Sequence, residues 1–410
     1  MIAWAATAFG ALLASYSAFR PVRDTLILDS DPDQLPWVFI ATSVVVSITS
    51  PIWSALLARR PPRSFVPWAF HASAVCAVGF FFAVGSGIAP VAVGRVFYVW
   101  SGVFNLFVVS VFWSLLADLL GPSTARRLYG PIAAGGTIGT IVGPLLTRVL
   151  VGWIGVAGVL LLSAVFLELA VVGVGRLRRA AAVLPLHAEP GVEEPPPDEP
   201  PGGGAFTGIA HVVKSPYLGA IVGYVLCTAC AATFLYLAQA EIVKAALTDR
   251  VARASYFASI DLWQAAVTFV LQAVVAGVAL GRFGPGAVLS VLPIVQAVGI
   301  SVLTLAPSLG VLAIVQVIGR SATHGLTRPA RELLFTVVSR DDKYRAKHAI
   351  DTIGYRLGDV ASSWLRKALI ALTGGGAALL GASIPVVVLW LGFAAVLGAG
   401  FRRRVTKELS

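Results

Sequence analysis

The sequence predicts an all-α polytopic membrane protein with twelve transmembrane helices. Three observations carry that prediction. Of 410 residues, 57% are hydrophobic and only 12% are charged, whereas soluble domains average about 25% charged. Mean hydropathy is +0.85. Long stretches contain no Asp, Glu, Lys or Arg: Leu35–Ala58, Ser64–Gly94, Val96–Ala117, Phe283–Gly319 and Ala368–Phe401. A helix that crosses a bilayer needs about 20 apolar residues. Together these exclude a soluble enzyme, a nucleic-acid-binding domain and a secreted disulfide scaffold.

The apolar runs place spans at 2–28, 35–58, 65–87, 91–118, 129–152, 155–175, 215–243, 255–280, 285–306, 310–338, 348–371 and 378–400. Met1 enters the first run directly, with no basic segment or cleavage site before it, so the first helix is expected to stay in place. Turns are marked by Arg60-Pro-Pro-Arg63, Gly121-Pro122, Pro307-Ser-Leu-Gly310 and the run Gly374-Gly375-Gly376. Net charge is +11. The basic residues collect on alternate loops, among them Arg59, Arg60, Arg126, Arg127, Arg178, Arg179, Arg402 and Arg403. The first loop on the opposite side holds Asp29, Asp31 and Asp33. The positive-inside rule puts both termini in the cytoplasm.

Residues 177–212 divide the chain. Their Pro-, Glu- and Gly-rich composition gives them nothing to bury, so they read as a cytoplasmic linker. It separates an N-terminal six-helix bundle (1–176) from a C-terminal one (213–401), followed by a basic cytoplasmic tail (402–410). This 6+6 plan resembles the major facilitator superfamily. Cys227 and Cys230 form a C-x-x-C mid-helix with no second ligand pair, so they read as packing residues rather than zinc ligands.

Ionisable side chains at membrane depth are costly and need a partner or a water-filled cavity. Span 1 carries Arg20-Pro21-Val22-Arg23-Asp24. Pro21 removes a helix hydrogen bond, strands the Ser17 carbonyl and is expected to kink the helix; interrupted helices mark transporter binding sites. Arg20 and Asp24 stand four apart and are expected to pair, leaving Arg23 for an anion. The competing reading has the outer end of the span reach for the membrane surface.

Span 10 carries Arg320, His324, Arg328, Arg331 and Glu332. In a regular helix the first four share one face, a stripe about 16 Å long. Guanidinium forks match phosphate or carboxylate, so such a stripe suits an elongated polyanion. The competing reading pairs these residues with Glu168, Asp261, Asp351 or Asp359. Lys343, Arg345 and Lys347 lead into span 11, which continues through Asp351, Arg356 and Asp359 and reads as gate or interhelical pairing. Spans 6 to 8 add Glu168, Gln239, Glu241, Lys244, Asp261 and Gln264. A carboxylate among them is either one half of an ion pair or the carrier of a coupling proton. Gly135, Gly139 and Gly143, spaced by four, predict a face for close helix packing. Asn105, Trp100 and Trp113 in span 4 are candidates to line a cavity, with interface anchoring as the alternative for the aromatics.

Several of these segments resemble the bacterial ATP/ADP translocase (NTP/NDP exchange transporter) family. They are Arg20-Pro-Val-Arg23-Asp24, Asn105-Leu-Phe-Val-Val-Ser-Val-Phe-Trp113, Ala133-Ala-Gly-Gly136, Arg331-Glu332-Leu-Leu-Phe335, Lys343-Tyr-Arg-Ala-Lys347, Ile350-Asp351-Thr352 and Gly358-Asp359. The resemblance implies a facilitator-type fold and nucleotide exchange. It also implies that the basic residues important in spans 1 and 10 fall on Arg23 and Arg331, where the exchangers carry lysine. Of the family's acidic positions, Asn105 occupies the one in span 4, and the one in span 7 falls near Gln239–Glu241.

The resulting expectation is a transporter of an anionic, phosphorylated solute, a nucleotide such as ATP or ADP by resemblance, working by alternating-access exchange. Arg20, Arg23, Asn105, Arg320, His324, Arg328 and Arg331 are the candidate substrate contacts. Asp24, Arg126, Arg127, Glu241, Glu332, Lys343, Lys347, Asp351, Arg356 and Asp359 are the candidate gate or ion-pair residues. No cofactor, metal, catalytic residue or nucleic acid polymer is expected, and the expected setting is a monomer in the bacterial inner membrane. The alternative is a proton-coupled transporter of another small solute using Glu168, Glu241 or Asp261. A membrane enzyme or sensor is more remote: H-E-x-x-H, G-x-S-x-G and P-loop motifs are missing from the sequence.

Overall fold

The structure, a computed structural model, describes residues 1–30, 34–59, 62–119, 122–183, 215–338, 364–365 and 377–409. Regular structure among them is helical throughout, as lipid demands: a chain in hydrocarbon must satisfy its backbone polar groups within itself. The helices are α1 (Ile2–Ile27), α2 (Leu35–Arg59), α3 (Pro62–Gly85), α4 (Pro90–Leu119) and α5 (Pro122–Val183). They continue with α6 (Pro216–Ala246), α7 (Arg250–Val270), α8 (Ala276–Leu305), α9 (Leu309–Ala322), α10 (Arg328–Leu334) and α11 (Ala377–Leu409). Eight helical stretches among the described residues are long and apolar enough to cross a membrane. Val75, Phe82, Val278 and Ile314 lie exposed along them, as side chains that face lipid should.

Two of these long stretches are broken by glycine. Gly155 in α5 (φ 69°, ψ 174°) and Gly284 in α8 (φ 75°, ψ 169°) leave the helical region. Only glycine takes such angles without strain. Both breaks fall where the sequence places a boundary between consecutive spans.

The chain divides into two compact units: Met1–Val192 with Lys244–Ala265, and Glu193–Val243 with Ala266–Ser410. In the first, α1 and α5 meet backbone to backbone. A Cβ on Gly135 would overlap the Ala6 carbonyl, and one on Gly139 the Gly10 carbonyl. One on Gly143 would stand 2.5 Å from the Ala14 oxygen. The glycine face expected from spacing is therefore a contact surface. Polar groups fasten the same interface: the Ser15 and Ser163 hydroxyls lie 2.7 Å apart, and Thr147 Oγ1 donates to the Ala18 carbonyl at 2.9 Å. Phe19, Phe97, Trp100 and Phe104 form an aromatic cluster beside it, with Phe97 stacked on Trp100.

In the second unit Tyr224 and Trp390 pack edge to face, and Gly286 and Gly398 bring α8 and α11 together. Two π turns interrupt the helices, Leu271–Val275 between α7 and α8 and Thr323–Thr327 between α9 and α10. They touch: Gln272 Nε2 donates to the His324 carbonyl at 3.1 Å, and a Cβ on Gly325 would lie 2.7 Å from Leu271 Cβ.

Candidate functional site

Helix α1 continues through Pro21 without the break that would mark an interrupted helix. The expected Arg20–Asp24 pair is not formed either. Asp24 Oδ1 instead accepts from its neighbour Arg23, at 2.9 Å from Nε and 2.6 Å from Nη2. The planar fork delivers two donors to one oxygen, which a carboxylate prefers to a single distant contact. The same guanidinium lies over Tyr98, 5.1 Å from the ring centre. Arg20 meets a carboxylate from α7, with Nε 3.7 Å from Asp261 Oδ2. Both arginines of span 1 thus stand beside an acid, and the charge expected for an anion is compensated locally.

A second polar cluster closes around the end of α1. Asp29 accepts from Arg250 Nη2 at 2.6 Å and Arg253 Nη1 at 3.3 Å. Lys244 Nζ donates to the Ser30 carbonyl at 3.1 Å, and Arg95 donates to Ser30 Oγ at 3.3 Å and to Gln34 Oε1 at 2.5 Å. Asp249 caps the start of α7, accepting from the Ala252 amide at 2.8 Å. Sequence reasoning missed this clamp. Its signal was present as an acidic first loop and an Asp249-Arg250…Arg253 cluster just past span 7.

Other candidates of this unit take simpler places. Glu168 Oε1 lies 2.9 Å from His71 Nδ1 on α3, both exposed. Asn105 is exposed on α4. Trp100 joins the aromatic cluster, and Trp113 packs on Phe9 and Tyr129. A cavity of about 600 Å³ between α2 and α4 has mostly apolar walls, including Trp37, Val38, Val99 and Val103, which do not suit a polyanion. Arg126 and Arg127 lie on α5 with side chains outside the described residues.

In the second unit the arginine stripe is interrupted. A π turn bonds i to i+5, so residues 323–327 shift the phase of everything after them. Arg328 is consequently exposed while Arg331, three residues on, is buried; Arg320 and His324 are half-buried and Glu332 is exposed. One continuous cationic face, as a regular helix would give, is not what forms. Arg320 Nη2 donates to Gln239 Oε1 at 3.3 Å, and Gln316 Nε2 donates to the same oxygen at 2.8 Å. Gln296 lies alongside, its amide nitrogen 2.9 Å from where a Cβ on Gly319 would sit. This buried amide cluster is a feature that charge-based reading passes over. Glu241 is exposed on α6. Cys227 is buried and Cys230 half-buried, both as free thiols. Lys343, Arg345, Lys347, Asp351, Arg356 and Asp359 lie outside the described residues.

Residues 287–401 match the TLC ATP/ADP transporter family. No curated protein matches the chain. Solved structures match it over nearly its whole length. A mutant of the nucleoside transporter NupG aligns with TM-score 0.64 at 9% identity, covering 98% of this chain and 99% of that one. The unmutated NupG aligns with TM-score 0.63 at 12% identity, covering 98% of each chain. A bacterial homologue of the human lysosomal transporter Spinster, inward-facing and unoccupied, aligns with TM-score 0.62 at 16% identity, covering 99% and 98%. At such identities the likeness is one of fold, and the fold is that of major facilitator transporters. The family match and the fold make the chain a membrane transporter.

Proposed function

We propose that this transporter exchanges a nucleotide, ATP against ADP or a close phosphorylated relative, by alternating access in a twelve-helix 6+6 arrangement. It acts as a monomer in the bacterial inner membrane with both termini cytoplasmic, as a carrier rather than an enzyme. The observation that carries the reading is the match of residues 287–401 to the TLC ATP/ADP transporter family. Arg320, Arg328 and Arg331 supply the cationic contacts for the phosphates, with Asn105 and His324 beside the cargo. Arg20 and Arg23 enter as paired charges whose carboxylates the cargo must compete with. The pairing takes away the argument that unbalanced charge alone demands an anion, so the cargo class stands on the family match. In this reading Arg126, Arg127, Lys343, Arg345 and Lys347 serve as the cytoplasmic rim, and Asp351, Arg356 and Asp359 as gate or interhelical ion pairs.

The test is counter-exchange in proteoliposomes. ADP inside should accelerate uptake of labelled ATP, and Arg331→Ala should lower that uptake by about a hundredfold while the protein stays folded. Uptake indifferent to internal ADP and to Arg331→Ala would sink the proposal. The second reading, proton-coupled transport of another solute, draws on the buried Asp261 beside Arg20. It requires uptake driven by a pH gradient with no counter-substrate and no competition by phosphates.

A further inference from the structure

We propose that Asp261 is the resident counter-ion of Arg20 and gives up that place when an anionic cargo binds. The inference rests on the nucleotide-exchange reading.

The two arginines of α1 are held differently. Arg23 and Asp24 are chain neighbours joined by two short hydrogen bonds, a pair that travels with α1. Arg20 and Asp261 approach to 3.7 Å, inside Coulomb range and outside hydrogen-bond range. Arg20 Nε is itself buried with no hydrogen-bond partner among the described residues. The carboxylate belongs to α7, so the pair parts when α7 moves against α1, with neither helix unwinding. The Arg20 side chain keeps 24% of its surface open and Asp261 only 5%, so Arg20 is the more accessible member of the pair.

A phosphate oxygen offers Arg20 the charge that Asp261 offers, together with the bidentate hydrogen bonds that the present geometry lacks. A partly desolvated guanidinium does not stay bare; it holds either the carboxylate or the cargo. Occupancy is then linked to the α1–α7 contact, and the cargo shifts the equilibrium by its differential affinity for the parted state. Without cargo the carboxylate re-forms the contact, which restrains the empty carrier from reorienting and favours exchange over net leak.

The probe is ADP, titrated into the purified full-length protein. Asp261→Asn should tighten ADP binding by about fivefold or more. Asp261→Glu, which keeps the charge, should not show that gain, and the gain should vanish in Arg20→Ala. A folded Asp261→Asn protein with wild-type or weaker affinity overturns the proposal, as does a gain that survives Arg20→Ala. If the Asn variant does not fold, the wild type decides: ADP should raise amide hydrogen exchange over residues 255–262, and unchanged or lower exchange overturns the proposal. Wild-type protein that binds neither ADP nor ATP sinks the nucleotide reading and this inference together; wild-type binding without the Asn effect sinks this inference alone.

Discussion

Pro293 lies inside α8 and has no N–H, so the carbonyl four residues back, Leu289, loses its partner in the helix ladder. The Tyr224 hydroxyl on α6 replaces it, donating to that carbonyl at 2.8 Å in a fully buried site. The tyrosine thus completes a neighbouring helix where no water is at hand. Tyr224→Phe should cost about 1–3 kcal/mol of stability, the desolvation penalty of a buried acceptor left unmade. Pro293→Ala returns an amide donor to the same oxygen. The pair should therefore be coupled: Tyr224→Phe costs less in the Pro293→Ala background. Thermal unfolding in detergent reads both, and strictly additive losses would show that the hydroxyl does not serve that carbonyl.

Helix α1 shows which parts of the molecule can be read from the chain. The Gly135, Gly139 and Gly143 repeat announced a close contact because a helix returns to the same face every three or four residues, and the contact is there against Ala6, Gly10 and Ala14. Gly139→Ala should destabilise the protein by about 1–3 kcal/mol, since its methyl group meets backbone rather than a side chain that can move. Gly175→Ala on the same helix meets nothing within 4 Å and should gain about 0.4–1 kcal/mol. Equal melting points for the two variants would refute the contact. Long apolar runs were legible for the same reason of local periodicity. What was hidden lies across helices or in a change of phase. Asp24 had two arginines within reach and took the adjacent one, leaving Arg20 to an acid on α7. The π turn at Thr323–Thr327 splits the arginine stripe, and Pro329, which has no N–H to offer the Gly325 carbonyl, stands just beyond it. The Gln239–Gln316–Arg320 contacts run through a shared amide oxygen, which a search for ion pairs passes over.

At the scale of the whole chain, the segment Lys244–Ala265 packs with the first unit, while the chain on either side of it belongs to the second. Its two ends are two of the places where the chain passes from one unit to the other. Its contacts are concentrated: Arg250 and Arg253 share Asp29, Lys244 holds the Ser30 carbonyl, and Asp261 stands by Arg20. Asp29 is the common acceptor of two guanidinium groups, so removing it releases both at once, whereas removing Arg250 leaves Arg253 in place. The Arg250–Asp29 contact is partly exposed and worth about 0.2–1 kcal/mol alone, too little to move the melting point much but enough to change local opening. Hydrogen exchange over residues 247–253 is therefore the measurement to make. Asp29→Ala should raise it several-fold, Arg250→Ala should raise it less, and the double variant should match Asp29→Ala alone. Raised salt should narrow the difference between wild type and Asp29→Ala, because the pairs reach solvent. If Asp29→Ala leaves exchange in this segment unchanged, the segment is held by its apolar contacts and the clamp is a bystander to any movement of the units.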